Sequence, residues 1–314
     1  MELRQLRYFL SVLEHGSLGR AALELGVGAP ALSQQLGKLE AELATRLLNR
    51  SSTGVTPTAA GLAFEHHARL TLRQAEYAVL AAQSGRMSGY ASLGLAPTTA
   101  SILARPLMAA MAERYPQIRL HLVEMLSGYL GAQLNARRLD LAVLFQGDPG
   151  PRLGVLPLLQ ERLFVIAPPE LVPPHWGDAV SLADLQAVPL VLPSLQHGLR
   201  TTLNAAFARI GGEPQVVMEI DGLTTLMTAV AAGYAATVQP GAVVARSREA
   251  GLRVFPIADA GVERRSLLVS LSDDELTPAA LATRLVVQTV TRELVEQGRW
   301  PGARLLPPVG LQQN

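Results

Sequence analysis

The chain has 314 residues, 27 Lys and Arg against 26 Asp and Glu (formal net charge +1), 49% hydrophobic residues and no cysteine. This length predicts about two domains, the apolar fraction excludes a disordered chain, and the lack of thiols excludes disulfides, thiolate catalysis, iron–sulfur clusters and cysteine zinc sites. There is no run of 18 apolar residues to span a membrane, and Met1–Arg7 lacks the basic-then-apolar pattern of a signal peptide, so the expected location is cytoplasmic.

Residues 1–57 read as short amphipathic helices with tight breaks. Leu6, Phe9, Leu10 and Leu13 fall on one helical face, which ends at His15-Gly16. Ser17 is a suitable N-cap for a second helix over 18–25, closed by Gly26. Pro30 sits in the first turn of a third helix over about 30–43, with Leu32, Leu36, Leu39 and Leu43 in phase. Residues 46–57 then read as a small hairpin turning at Ser51-Ser52-Thr53-Gly54. The order helix, tight turn, helix, hairpin is that of a winged helix-turn-helix, whose second helix fits the major groove of DNA.

That third helix carries Ser33, Gln34, Gln35 and Lys38 on faces left free by the leucines, and the hairpin carries Arg46, Arg50, Ser51, Ser52 and Thr53 with no acidic residue between positions 43 and 57. Such groups hydrogen-bond base edges or meet phosphates. The bland alternative is a solvated polar surface; the cap, Pro30 and the basic wing together favour DNA.

From Thr58 to about Ser84 no proline intervenes, and Leu62, Ala68, Leu72, Ala75, Val79 and Ala82 keep near-heptad spacing, which predicts one long helix with a face for a partner copy. The segment 84–89 reads as a hinge. Beyond residue 90, strands and helices alternate, predicting α/β layers with mainly parallel strands. Strands are expected over 91–96, 118–124, 139–145, 163–167, 189–193, 215–220, 234–238, 252–256 and 266–271. Helices are expected over 101–114, 126–137, 199–210, 222–232, 240–249 and 278–297. The proline- and glycine-rich end reads as a loose tail, and the expected boundaries are 1–57, 58–89, 90–300 and 301–314.

Ligands of open α/β sheets bind beyond the carboxyl ends of strands, where helix N-termini favour anions. One such corner holds Thr98, Thr99 and Ser101, and a second holds His197 and Arg200, of which Arg200 can grip a carboxylate bidentately. Ser127 and Gln239 mark further strand ends. Helix capping is the alternative for the hydroxyls, and a solvated surface for His197 and Arg200. Asp140 reads as a turn or cap residue, and Asp273-Asp274-Glu275 as a solvated turn.

No nucleophile elbow, dinucleotide fingerprint or phosphate loop is present, and His66-His67 would point about 100° apart on a helix, which does not suit chelation of one metal. The expectation is a protein that is not an enzyme and needs neither metal nor cofactor. The weaker alternatives are a small-molecule sensor module without DNA activity and an α/β hydrolase or transferase.

Residues 1–61 resemble a LysR-type transcriptional regulator. The likeness is carried by Leu3–Gly16 (LRQLRYFLSVLEHG), Ser17–Gly26 (SLGRAALELG), Ala29–Leu43 (APALSQQLGKLEAEL) and Leu47–Gly61 (LLNRSSTGVTPTAAG). Further on, Ala104–Pro116, Arg137–Val143 and Met227–Pro240 are similar to the family's effector subdomains, and Leu190–Arg200 to its nitrogen-assimilation-control and aromatic-degradation branches. The resemblance implies an α+β multidomain chain: an N-terminal winged helix-turn-helix, a long linker helix for dimerisation, and a C-terminal two-lobed α/β effector domain like periplasmic binding proteins. It implies DNA contacts from Ser33, Gln34, Lys38, Arg50 and Ser51. It also implies a small anionic co-inducer between the lobes, assembly as a homodimer or homotetramer, and RNA polymerase as a partner, with no membrane association. Where the family shows Ser-Gln before the proline, this chain has Gly28-Ala29, and it has Gln35 where Arg or Lys is common, so the electrostatic grip of one head is reduced. Residues 1–90 hold 9 basic and 7 acidic side chains, which predicts weak binding by one head and affinity gained by pairing heads.

Overall fold

The computed structural model describes residues 1–51, 54–82, 88–145, 153–195 and 197–307. Ser52 and Thr53 of the expected wing, hinge residues 84–87, the side chains of Val79 and Ala82 and the tail from 308 onward lie outside them. Two compact units divide the chain, Met1–Arg86 and Met87–Asn314. Among the described residues no helix is long and apolar enough to cross a membrane.

In the first unit, α1 (Leu3–His15) stops at Gly16, whose φ of 59° is left-handed and suits glycine. Helix α2 (Leu18–Glu24) starts where Ser17 Oγ accepts from the Arg20 amide. Helix α3 (Ala29–Glu42) starts at Gly28 with no side-chain cap. Strands β1 (Leu48–Ser51) and β2 (Gly54–Pro57) pair antiparallel, with Arg50 opposite Val55. Helix α4 (Ala59–Ala82) follows. Leu6, Phe9, Leu32, Leu36, Leu39 and Leu47 form one core, and Ala68 is buried in it too. Phe64 packs edge-on against Phe9 at 5.3 Å, so the first turns of α4 belong to the head's core as well as to a linker. Gly61 is fixed by space: a Cβ there would stand 2.1 Å from the Leu47 carbonyl oxygen.

The second unit runs β3 (Gly89–Leu95), α5 (Pro97–Arg114), β4 (Ile118–Glu124), α6 (Ser127–Asn135), β5 (Leu141–Phe145) and β6 (Leu153–Ala167). It continues with α7 (Leu182–Leu185), β7 (Leu190–Leu192), α8 (Gly198–Arg209), β8 (Val216–Glu219), α9 (Leu223–Ala231) and β9 (Thr237–Pro240). It ends with α10 (Val244–Glu249), β10 (Arg253–Pro256), β11 (Glu263–Leu271), α11 (Pro278–Glu296) and β12 (Ala303–Leu305). Two main cores give two lobes: one around Leu93, Leu107, Val143, Leu268 and Val287, the other around Leu163, Leu190, Leu203, Phe207 and Val238.

The expected mainly parallel sheet is corrected to a mixed one. Strand β3 pairs parallel with β4 and β5, and β7 with β8, but β6 pairs antiparallel with β9, β10, β11 and β12. The cause is β6 itself, of which only the last third, 163–167, was expected. Its first two thirds join β11 in one lobe and its last third joins β9 and β10 in the other, so a single strand serves both sheets. Helix α5 begins at Pro97, where proline pre-sets the first turn, earlier than the expected 101. The expected helix over 240–249 is split into a 3-10 turn, Gly241–Val243, and α10. The loose tail is also corrected: Trp300 is buried and β12 adds to β6.

Candidate nucleic-acid interface and effector cleft

Leu32, Leu36 and Leu39 turn one face of α3 into the core, which leaves Gln34 and Lys38 exposed and Ser33 and Gln35 half-buried. Gln35 is partly occupied, since Gln5 Nε2 donates to its side-chain oxygen at 3.4 Å. The wing is held onto α3 by Glu40, whose Oε1 accepts from the amides of Leu47 at 2.8 Å and Leu48 at 3.0 Å. Arg50 Nη1 then donates to Ser33 Oγ at 2.8 Å, while its Nη2 stands 3.8 Å from Glu40 Oε2. Of the residues expected to meet DNA, Gln34 and Lys38 are exposed one turn apart on α3, and Arg50 is joined to Ser33. Ser51 Oγ donates to the Gly54 carbonyl across the turn. Arg46 is exposed.

In the second unit the expected corners converge on a feature the sequence reading missed. Arg264 is 1% exposed. Its Nε and Nη2 donate to Glu161 Oε1 at 3.0 and 2.6 Å, Nη2 also donates to Thr98 Oγ1 at 3.1 Å, and its guanidinium lies 3.6 Å from the centre of the Phe145 ring. Glu161 Oε2 in turn accepts from the Trp300 indole at 2.9 Å. Burial depresses the Arg264 pKa, opposed by Glu161. The signal was parity: Arg264 is in phase with buried Ser266, Leu268 and Ser270 on β11. An apolar count starts the strand at 266 and leaves the arginine outside.

Around Arg264 lies a cavity of about 330 Å³ lined by Phe145, Gly198, Thr201, Ala205, Arg209 and Arg264. Ser127 Oγ lies close to Gly198: a Cβ on Gly198 would come within 3.8 Å of that oxygen. His197 caps α8, with Nδ1 accepting from the Leu199 amide at 3.2 Å. Burial, and then the Arg264 charge, push its pKa down to about 4 against a raising influence of Asp221, so the imidazole is neutral at pH 7. Thr98 is buried on Arg264, and Thr99 is buried beside it with no partner for Oγ1. Ser101 lies inside α5, and its Oγ donates back to the Thr98 carbonyl at 2.7 Å and approaches the Ala242 carbonyl at 3.3 Å. Gln239 is buried on β9 and donates to Thr237 Oγ1 at 3.2 Å.

Arg200 is a correction. Its guanidinium is taken by Glu219 at 2.9 Å, the Pro193 carbonyl at 3.1 Å and Asn204 at 3.0 Å, and it lines a separate open hollow with Asn204, Ala208 and Pro214. Helical geometry explains this: Arg200 is two positions, about 200°, from Gly198, so it leaves the cavity face of α8 that Gly198, Thr201 and Ala205 share. Asp140 is structural as expected, with Oδ2 accepting from the Ser92 amide and hydroxyl at 2.8 and 2.7 Å.

Two family descriptions match the chain: bacterial regulatory helix-turn-helix protein, lysR family, over residues 3–62, and LysR substrate binding domain over 84–292. The nitrogen assimilation regulatory protein nac of Escherichia coli K12 is 33% identical over 96% of this chain and 99% of its own length. CbnR, solved with its target DNA, aligns with a TM-score of 0.56 at 25% identity, over 93% of this chain and all of its own. A full-length OxyR variant of Pseudomonas aeruginosa shares the fold with a TM-score of 0.70 at 23% identity, over 100% and 99% of the two chains.

Proposed function

The chain belongs to the LysR family of transcriptional regulators, with a helix-turn-helix head and an effector-binding domain, and on that premise we propose how it works. Ser33, Gln34 and Lys38 on α3 enter a major groove, and Arg50 and Ser51 at the wing meet the adjoining backbone. The observation that carries this is the Arg50–Ser33 hydrogen bond, which fixes the basic wing to the polar side of α3. The solved complex of the similar CbnR with its target DNA supports the reading.

Because one head is only mildly basic, two heads act together on a pseudo-palindromic site. The helix over 58–84 and the effector lobes associate copies into a dimer or tetramer, in the cytoplasm, with RNA polymerase as the onward partner. A small anionic co-inducer sits between the lobes near Thr98, Thr99, Ser101, Ser127, His197 and Gln239. It alters the heads' spacing or the bend of the DNA to the extent that it prefers one lobe arrangement.

A mobility-shift assay on DNA from upstream of the chain's own coding region tests the proposal. Retardation at low salt that weakens steeply as salt rises is expected. Absence of any salt-sensitive shift overturns it.

A further inference from the structure

Resting on the DNA-binding reading above, we infer that Glu40 is the positioning residue of the wing and that its carboxylate holds down the sequence-independent grip of Arg50 on DNA. The wing has no acid of its own between positions 43 and 57. Its counter-charge comes instead from α3. Glu40 Oε2 stands 3.8 Å from Arg50 Nη2, and among the described residues no other acidic side chain pairs with Arg50.

An ordinary surface ion pair loses most of its effect to the entropy of holding two free side chains together. Here each partner is fixed by something else. The Glu40 carboxylate is held from the wing side, because Oε1 accepts from the Leu47 and Leu48 amides at 2.8 and 3.0 Å. The Arg50 guanidinium is held from the α3 side, because Nη1 donates to Ser33 Oγ at 2.8 Å. Positions 33 and 40 are two helical turns apart and so lie on one stripe of α3, which Arg50 spans. The Glu40 side chain is 16% exposed and that of Arg50 38%, so the cation is the more open partner and the anion stands behind it.

The two carboxylate oxygens therefore have opposite effects. Oε1 positions the wing for DNA, whereas Oε2 opposes its charge. At 3.8 Å, beyond hydrogen-bond length, Nη2 keeps its protons for a phosphate, and the negative charge behind it weakens that contact. Non-specific DNA binding is essentially all electrostatic, so the opposition acts there in full. Base contacts from α3 are left with a larger part in the affinity for a cognate site.

The test uses the purified full chain. Its binding to an unrelated duplex, and to DNA from upstream of its own coding region, is read by fluorescence anisotropy across a salt series. Glu40→Gln removes the charge and keeps an oxygen for the two amides. It is expected to tighten binding to the unrelated duplex by about threefold or more at low salt, with a steeper salt slope and an unchanged melting curve. The upstream DNA should gain no more than the unrelated duplex. Glu40→Ala removes the acceptor as well, and is expected to loosen the wing and weaken binding to both. Glu42→Gln controls for net charge: Glu42 is exposed and pairs with the Met1 amine, and its loss should leave binding within about twofold. Glu40→Gln joined to Arg50→Ala should bind no better than Arg50→Ala alone.

The inference is overturned if folded Glu40→Gln binds unrelated DNA no tighter than wild type, if Glu40→Ala or Glu42→Gln matches its gain, or if the gain survives Arg50→Ala. Early melting of Glu40→Gln also overturns it, since the charge would then be what anchors the wing. Any of these results with wild type still retarding the upstream DNA removes only this inference, whereas absent retardation removes the regulator reading.

Discussion

Arg50 on the wing and Ser33 on α3 are joined by a 2.8 Å hydrogen bond, so two groups expected to meet DNA separately form one unit. Arg50→Ala is predicted to weaken DNA binding about tenfold and to lower the salt slope by about one, as loss of a phosphate contact does. Ser33→Ala releases the arginine, so the two substitutions should be non-additive by about 0.5–1 kcal/mol. A double-mutant cycle in the mobility-shift assay checks this, and strict additivity would show that the bond is not maintained on DNA.

Gly61 lies where the hairpin meets α4. An added Cβ would stand 2.1 Å from the Leu47 carbonyl oxygen, which already accepts from the Thr58 amide. Gly61→Ala must therefore push the wing from the helix, with a predicted loss of about 1–3 kcal/mol in the head. Thermal melting followed by circular dichroism reads the loss, and DNA affinity should fall with it.

His197 gives the second unit a pH dependence. Its folded pKa of about 4 lies below the ordinary 6.5, so the unfolded chain binds the proton more readily. The corresponding stability is fully present above about pH 6.5 and is lost as pH falls towards 4, by up to roughly 3 kcal/mol. His197→Gln, compared with wild type by denaturant unfolding at pH 7 and pH 5, should flatten this part of the acid limb. An unchanged slope would mean that the imidazole is not kept neutral.

The Glu161–Arg264 pair is buried on both sides. Glu161→Gln leaves the guanidinium without its counter-charge and should cost about 3–5 kcal/mol, whereas a joint Glu161→Leu and Arg264→Leu change should recover much of that stability. Unfolding in urea separates the cases.

Much of the fold was legible along the chain. Apolar residues spaced three and four apart marked the first and third head helices, the Ser17 cap and Gly26 the second, and the turn at Ser51–Gly54 the wing, because these signals arise from neighbours in sequence. The first half of β6 was not legible. Its run Leu153–Glu161 mixes apolar and polar residues without a clean alternation, and its pairing is set by distant segments, β11 along the run and β12 at Leu159–Glu161.

For the site, the sequence determined which corners carry polar groups beyond strand ends: Thr98, Ser127, His197 and their neighbours. It also determined that Gln34 and Lys38 would lie on the face of α3 that the core leaves exposed. Only the tertiary structure decided which arginine lines the cavity. Arg200 and Arg264 look alike in a list of residues, but helical rotation turns Arg200 to Glu219, while strand parity carries Arg264 inward. That choice depends on contacts formed by residues as far apart as Thr98, Glu161 and Trp300, which share no sequence neighbourhood and meet only when the lobes and the crossing strand are folded.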